Sequence, residues 1–361
     1  MIFRQLHKCR NIRLKNVDAI LKYCFFNKNK YMRKKLRVFL LFGLSMLNGL
    51  NTFAQQTILL QDLYIRDPYI LPVPKTKTYY MYRSASVRGN DGRMRGGVEV
   101  LKSKDLEHWE SPHQVFEVPV DNWITGDVWA PEVHAYKGKY YLFATLNSDI
   151  GWKKASSGHD YTFRGTQVFW SHSPEGPFMP FGETSFTPMD EMALDGTLWV
   201  ENRQPYMIYC HEWLQIVDGA MKIIPLKKDL SGPVGNPLRL FCASSAQWST
   251  GSGLINGEMI YVTDGCFLYR TKTGKLLMIW SSFMNGEYAI GIAESVTGKV
   301  KGPWQQQSEP LFHKNGGHGM IFRDFQDRLC LVIHSPNSPG GKERACIFEL
   351  EDLGSTLRVK E

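Results

Sequence analysis

The sequence predicts an all-β fold, a five-bladed β-propeller. Three observations carry that reading. A polar residue opening an apolar strand, followed by a second aromatic strand, recurs five times. The openers Asp67, Glu132, Asp195, Asp264 and His318 are spaced 65, 63, 69 and 54 residues apart. The 307 residues beyond position 54 divide into five units of about 61, enough for four short strands and their turns.

The units follow in order along the chain. Asp67-Pro68-Tyr69-Ile70-Leu71 precedes Tyr79-Tyr80-Met81-Tyr82, and Glu132-Val133-His134-Ala135-Tyr136 precedes Tyr140-Tyr141-Leu142-Phe143. Asp195-Gly196-Thr197-Leu198-Trp199 precedes Tyr206-Met207-Ile208-Tyr209, and Asp264-Gly265-Cys266-Phe267-Leu268 precedes Leu276-Leu277-Met278-Ile279-Trp280. His318-Gly319-Met320-Ile321-Phe322 precedes Leu329-Cys330-Leu331-Val332-Ile333. Aromatic and β-branched runs between Gly, Pro, Asn and Asp turns read as strands. A third strand and an outer one follow at least three units: Val98–Leu101 with Ser103–Trp109, Val168–Trp170 with Ser173–Phe178, and Ile290–Ala293 with Gly302–Trp304. A β-sandwich would not explain why the polar openers recur in phase.

The formal charge of +8 on 361 residues invites a nucleic-acid reading. Its distribution removes it. Residues 1–54 hold twelve Lys/Arg and one acid, Asp18, which leaves 31 basic and 34 acidic residues beyond, a net of −3. Met32-Arg33-Lys34-Lys35-Leu36-Arg37, the apolar run Val38–Leu47 and Thr52-Phe53-Ala54 have the layout of a secretory signal peptide cut before Gln55. Translation is expected to start at Met32. The apolar run is shorter than the about 20 residues of a membrane span, so no membrane insertion is expected after cleavage. The domain reading is therefore a 1–54 leader and one 55–361 propeller, secreted or periplasmic and monomeric. Beyond the leader, Cys210, Cys242, Cys266, Cys330 and Cys346 lack metal or disulfide spacing and read mostly as buried thiols. The basic, glycine-rich stretch 88–97 lacks interleaved aromatics and reads as an exposed hairpin at the funnel rim, with no nucleic-acid partner.

In a propeller the first residues of the innermost strands converge on the axis. Four acids and a histidine would therefore meet in one funnel. Clustered like charges raise some carboxyl pKa values, while a cation or hydrogen bond lowers others. That is how one site holds a protonated acid beside an ionised base, the pair glycoside hydrolysis requires.

The same residues resemble glycoside hydrolase family 43, five-bladed propellers that cut plant arabinose and xylose polymers. The likeness lies in Arg66-Asp67-Pro68-Tyr69-Ile70, Trp129-Ala130-Pro131-Glu132-Val133-His134, Leu194-Asp195-Gly196-Thr197-Leu198-Trp199, Asp264-Gly265 and Gly316-Gly317-His318-Gly319. The resemblance implies that Asp67 is the general base and that Asp195 tunes and orients the acid. It places Asp264 where the family has a Glu as general acid, one methylene longer. Glu212, in Cys210-His211-Glu212-Trp213, is the alternative acid; it could instead pair with an arginine such as Arg203. His318 would face a calcium ion on the axis through water, and no cofactor is required. Trp129, Glu132 and His318 are expected to contact sugar, although Glu132 could equally be a buried structural acid. The implied activity is inverting release of terminal α-L-arabinofuranosyl units from a polysaccharide. A β-xylosidase, an exo-galactanase, an endo-arabinanase or a non-catalytic carbohydrate-binding propeller are the alternatives. No GxSxG, HExxH, P-loop or GxGxxG pattern supports other chemistry.

Overall fold

The computed structural model describes residues 57–89, 91–120, 123–154 and 160–360. The expected signal peptide and the start at Met32 lie outside them. There are twenty-four strands among these residues, numbered in chain order, and all but the two of a small hairpin form five blades. The first contains β1 (Thr57–Leu59), β2 (Tyr69–Val73), β3 (Thr78–Arg88), β4 (Met94–Ser103), β5 (His108–Glu110) and β6 (His113–Glu117). The second contains β7 (Val128–Tyr136), β8 (Lys139–Lys154), β9 (Asp160–Ser171) and β10 (Met179–Pro180). The third contains β11 (Ala193–Glu201), β12 (Gln204–His211), β13 (Ala220–Pro225) and β14 (Leu238–Cys242), with a one-turn helix α1 (Trp213–Ile216) after β12. A small hairpin, β15 (Leu254–Ile255) and β16 (Glu258–Met259), leads into the fourth blade. That blade holds β17 (Asp264–Arg270), β18 (Leu276–Met284), β19 (Glu287–Ser295) and β20 (Trp304–Gln306). The fifth holds β21 (Gly317–Arg323), β22 (Leu329–Ser335), β23 (Arg344–Asp352) and β24 (Leu357–Val359).

The second to fifth blades are antiparallel meanders from the inner strand outward; in the first, β2, β3 and β4 run outward in the same way and β4 then pairs with both β5 and β6. The third and fifth blades have the outer strands that their sequences do not signal. Tight turns hold the register. Lys137-Gly138 and Asn285-Gly286 link their strands with φ of 47° and 78°, and 51° and 84°. Two left-handed residues in a row match the twist of the strands they join. Apolar faces of adjacent blades then close on one another. Trp109, Tyr79 and Tyr82 are buried in the cluster shared by the first, second and fifth blades, and Trp248 and Trp280 in that of the third and fourth. Trp280 is therefore core. Gly291 in β19 is required there, because a Cβ would lie 2.1 Å from the Trp248 ring.

The ring closes through the chain entering the first blade. β1 pairs with β5 on the outer edge of that blade. Tyr64 then bridges Arg344, Ile65 N–H donates to Glu343 O (3.3 Å) and Arg344 Nε donates to Gln61 O (3.1 Å) in the fifth blade.

The inner strands share one device. Two residues before the first regularly paired position, each has a left-handed residue: Asp67 (φ 50°), Ala130 (41°), Asp195 (56°), Gly265 (48°) and His318 (50°). Pairing resumes at Tyr69, Glu132, Thr197, Phe267 and Met320. This corrects the phase expected from the sequence. Glu132 lies two residues past the equivalent position, held by Ala130. Asp264 lies one before it, held by Gly265.

Candidate active site

A bulge frees a backbone N–H from its ladder, and a buried N–H needs a new partner. Here the preceding blade supplies it, from its second strand. Asp195 N–H donates to Thr145 Oγ1 (2.8 Å) and His318 N–H to Ser281 Oγ (2.8 Å). Asp67 N–H lies 3.3 Å from His334 Nδ1. The strained positions are thereby locked blade to blade, which fixes where their side chains enter the axis.

Those side chains line a funnel of about 650 Å³ together with Asp264, Tyr288 and Trp129. His318 is the hub. Its Nδ1 lies 3.2 Å from Asp67 Oδ1 and 3.8 Å from Asp195 Oδ2. His334 Nδ1 lies 3.1 Å from the same Asp67 oxygen, and Arg66 Nε lies 3.9 Å from Asp67 Oδ2. Asp195 Oδ2 accepts Gly265 N–H (3.0 Å), and Asp264 Oδ2 accepts the Tyr288 hydroxyl (2.9 Å). The other Arg66 nitrogens reach Glu343 (2.9 Å) and Asn337 (3.0 Å).

Burial would raise every carboxyl here, but neighbours split them. His318, His334 and Arg66 overcome burial at Asp67 and hold it well below the usual carboxylate range. Burial, reinforced by Asp264 and Asp67, pushes Asp195 up to about 7 against the pull of His318. Asp264 is raised by burial and by Asp67, with His318 and Tyr288 opposing. Burial would lower His318, yet the three acids raise it. One carboxyl is thus pushed down beside two that are pushed up.

Glu132 and Glu212 do not line the funnel. Glu132 is buried with Oε2 2.8 Å from His134 Nε2, and His134 Nδ1 is 3.2 Å from the Tyr69 hydroxyl. Glu212 forms its ion pair with Arg164, not Arg203. Burial pushes it up to about 7, although Arg164 pulls the other way. A calcium ion prefers six to eight oxygen ligands. Among the described residues no three His, Cys, Asp or Glu side chains are arranged to hold a metal, and His318 directs Nδ1 at two carboxylates. The residues present do not fit a directly coordinated ion.

Tyr288 and His334 were not singled out from the sequence. His334 holds in β22 the register place that Thr145 and Ser281 hold in β8 and β18, and that recurrence was its available signal; Tyr288, on the third strand β19, had none.

Gly265 leaves this geometry little slack. A Cβ there would lie 2.7 Å from His318 Cγ, at a φ that disfavours any side chain. Gly265→Ala is expected to lose about 1–3 kcal/mol of stability. It should lower kcat by about 10²-fold through displacement of His318 and Asp195. Denaturant unfolding and steady-state kinetics of the variant check both.

An axial funnel in which one carboxyl is pushed down and two are pushed up, walled by an exposed tryptophan, points to a propeller glycoside hydrolase. The chain belongs to the glycosyl hydrolases family 43, whose profile matches residues 60–349. It is 39% identical to an endo-arabinase of Bacteroides thetaiotaomicron VPI-5482, with a TM-score of 0.71 over 82% of this chain and 97% of that one. A thermostable family-43 glycoside hydrolase shares the fold at 23% identity, with a TM-score of 0.67 over 82% and 93% of the two chains. A segment of 58 residues, 14% of this chain, is 33% identical to extracellular endo-α-(1→5)-L-arabinanase 1 of Bacillus subtilis (strain 168). That match spans only 18% of the Bacillus enzyme.

Proposed function

We propose that the protein is an inverting hydrolase of α-1,5-linked arabinan that cuts within the polymer. The observation that carries this reading is the charge split across the funnel, Asp67 held ionised and Asp264 pushed toward its protonated form. Asp67 takes a proton from water as the water oxygen bonds to the anomeric carbon. Asp264 gives its proton to the glycosidic oxygen as the carbon–oxygen bond breaks. Asp195, bonded to Gly265 N–H beside Asp264, orients the acid and keeps negative charge near it from accumulating. His318 stabilises the Asp67 carboxylate before attack. His318 and Trp129 face the sugar from the funnel wall, whereas Glu132 acts through His134 as a structural brace.

The sequence alone points to release of single terminal units. The 39% identical endo-arabinase, matched over 97% of its chain, supports internal cuts instead. The basic and apolar leader, with the extracellular Bacillus relative, supports work outside the cytoplasm. Among the described residues, no helix is long and apolar enough to cross a membrane.

The test is linear arabinan with products followed by size and by proton NMR in the first minutes. Short oligosaccharides should precede free arabinose, and the first anomer should be β. Arabinose alone would make the protein an arabinofuranosidase. An α anomer first would replace the direct water attack by a covalent intermediate. Binding without any product would leave a carbohydrate-binding propeller.

A further inference from the structure

Trp129 stands on the funnel wall with 37% of its surface exposed. Its ring is not held by apolar packing alone. The Arg164 guanidinium lies over it, 4.4 Å from the ring centroid. That guanidinium is itself clamped. Nη1 donates to Glu212 on the third blade, and Nε donates to Asn147 Oδ1 (2.6 Å). Asn147 also fixes the backbone leading into the tryptophan. Its Nδ2 and its N–H both donate to Asp127 O, at 2.9 and 3.2 Å, and its carbonyl accepts Gly126 N–H (2.9 Å). Ring and backbone of Trp129 are therefore held by one connected brace that ends on a buried carboxylate.

A buried Arg–Glu pair is a poor device for stability, since apolar residues of the same volume often do as well or better. What it supplies is a flat, fixed cation beneath one face of an indole. The surface of Trp129 that stays exposed lines the funnel. We propose that Arg164 is a positioning residue that sets the plane of Trp129 as a sugar platform, with Glu212 and Asn147 as its clamp. The proposal rests on the glycosidase reading and adds a residue to it. Glu212 on this account serves substrate binding through Arg164.

Arg164→Lys keeps a charge for Glu212 but removes the planar stack. On whichever of arabinan or xylan the wild type cleaves, it should raise KM about tenfold and leave kcat within about twofold. Trp129→Ala should raise KM by at least as much. In the double variant, the lysine should add less than twofold, because the platform it would misplace is gone. Asn147→Ala, which frees Nε, should give a smaller KM rise of the same kind if the lysine variant fails to fold. Equal loss of kcat with unchanged KM, or multiplying effects in the double variant, would overturn the role. Wild-type cleavage of arabinan tests the function itself, so the two failures are separately visible.

Discussion

Asp67→Asn is expected to reduce kcat by about 10³–10⁴-fold on arabinan and on aryl arabinofuranosides alike. The effect is blind to the leaving group because deprotonating the attacking water precedes or accompanies bond cleavage in both. Asn has the shape of Asp but no basic oxygen of comparable strength. It also removes the charge that both raises His318 and draws His334 to within 3.1 Å of Asp67 Oδ1. The Asn variant should still bind oligosaccharide, since Trp129 and the rest of the wall are untouched. Parallel kinetics on arabinan and 4-nitrophenyl α-L-arabinofuranoside, with calorimetric binding, measure both. Wild-type turnover by Asp67→Asn on either substrate would remove Asp67 as the base.

How far this site could be read in the sequence follows from where each residue sits on its strand. The five blades were legible because alternating apolar strands recur with a polar residue in near-constant phase. Asp67, Asp195 and His318 were found that way, since each occupies the left-handed position itself. In the second and fourth blades that position is Ala130 and Gly265, which carry no functional group. The nearest acid stands two residues later in the second blade, at Glu132, and one residue earlier in the fourth, at Asp264. What decides the outcome is the side of the bulge, since Glu132 stands past it in the regularly paired strand and Asp264 stands before it. Glu132 turns into the core to meet His134, and Asp264 still reaches the funnel from just before the bulge. The Arg164–Glu212 pair was not legible. It joins residues 48 apart on two blades, and only the packing of those blades brings them together.

The choice between Asp264 and Glu212 as proton donor turns on the leaving group. Asp264→Asn should lower kcat on arabinan by about 10²–10⁴-fold. It should keep 4-nitrophenyl α-L-arabinofuranoside turnover within about tenfold of wild type, since nitrophenolate leaves with little protonation. The pH profile gives a second reading. A general acid works in its protonated form, so activity is present below its pKa and lost above it. With Asp264 raised by burial, wild-type activity on arabinan should extend above the ordinary carboxylate range before it falls. That alkaline limb should vanish for the aryl substrate in Asp264→Asn. Glu212→Gln should behave differently. It leaves Arg164 buried without its counter-charge, a loss of about 3–5 kcal/mol in stability, and it should weaken both substrates in the same proportion. A leaving-group-dependent loss in Glu212→Gln, with Asp264→Asn like wild type, would transfer the role to Glu212. Geometry favours Asp264, which lines the funnel, accepts the Tyr288 hydroxyl and stands next to the glycine that Asp195 grips. Gly265 also lets β17 approach His318 more closely than any residue with a Cβ would.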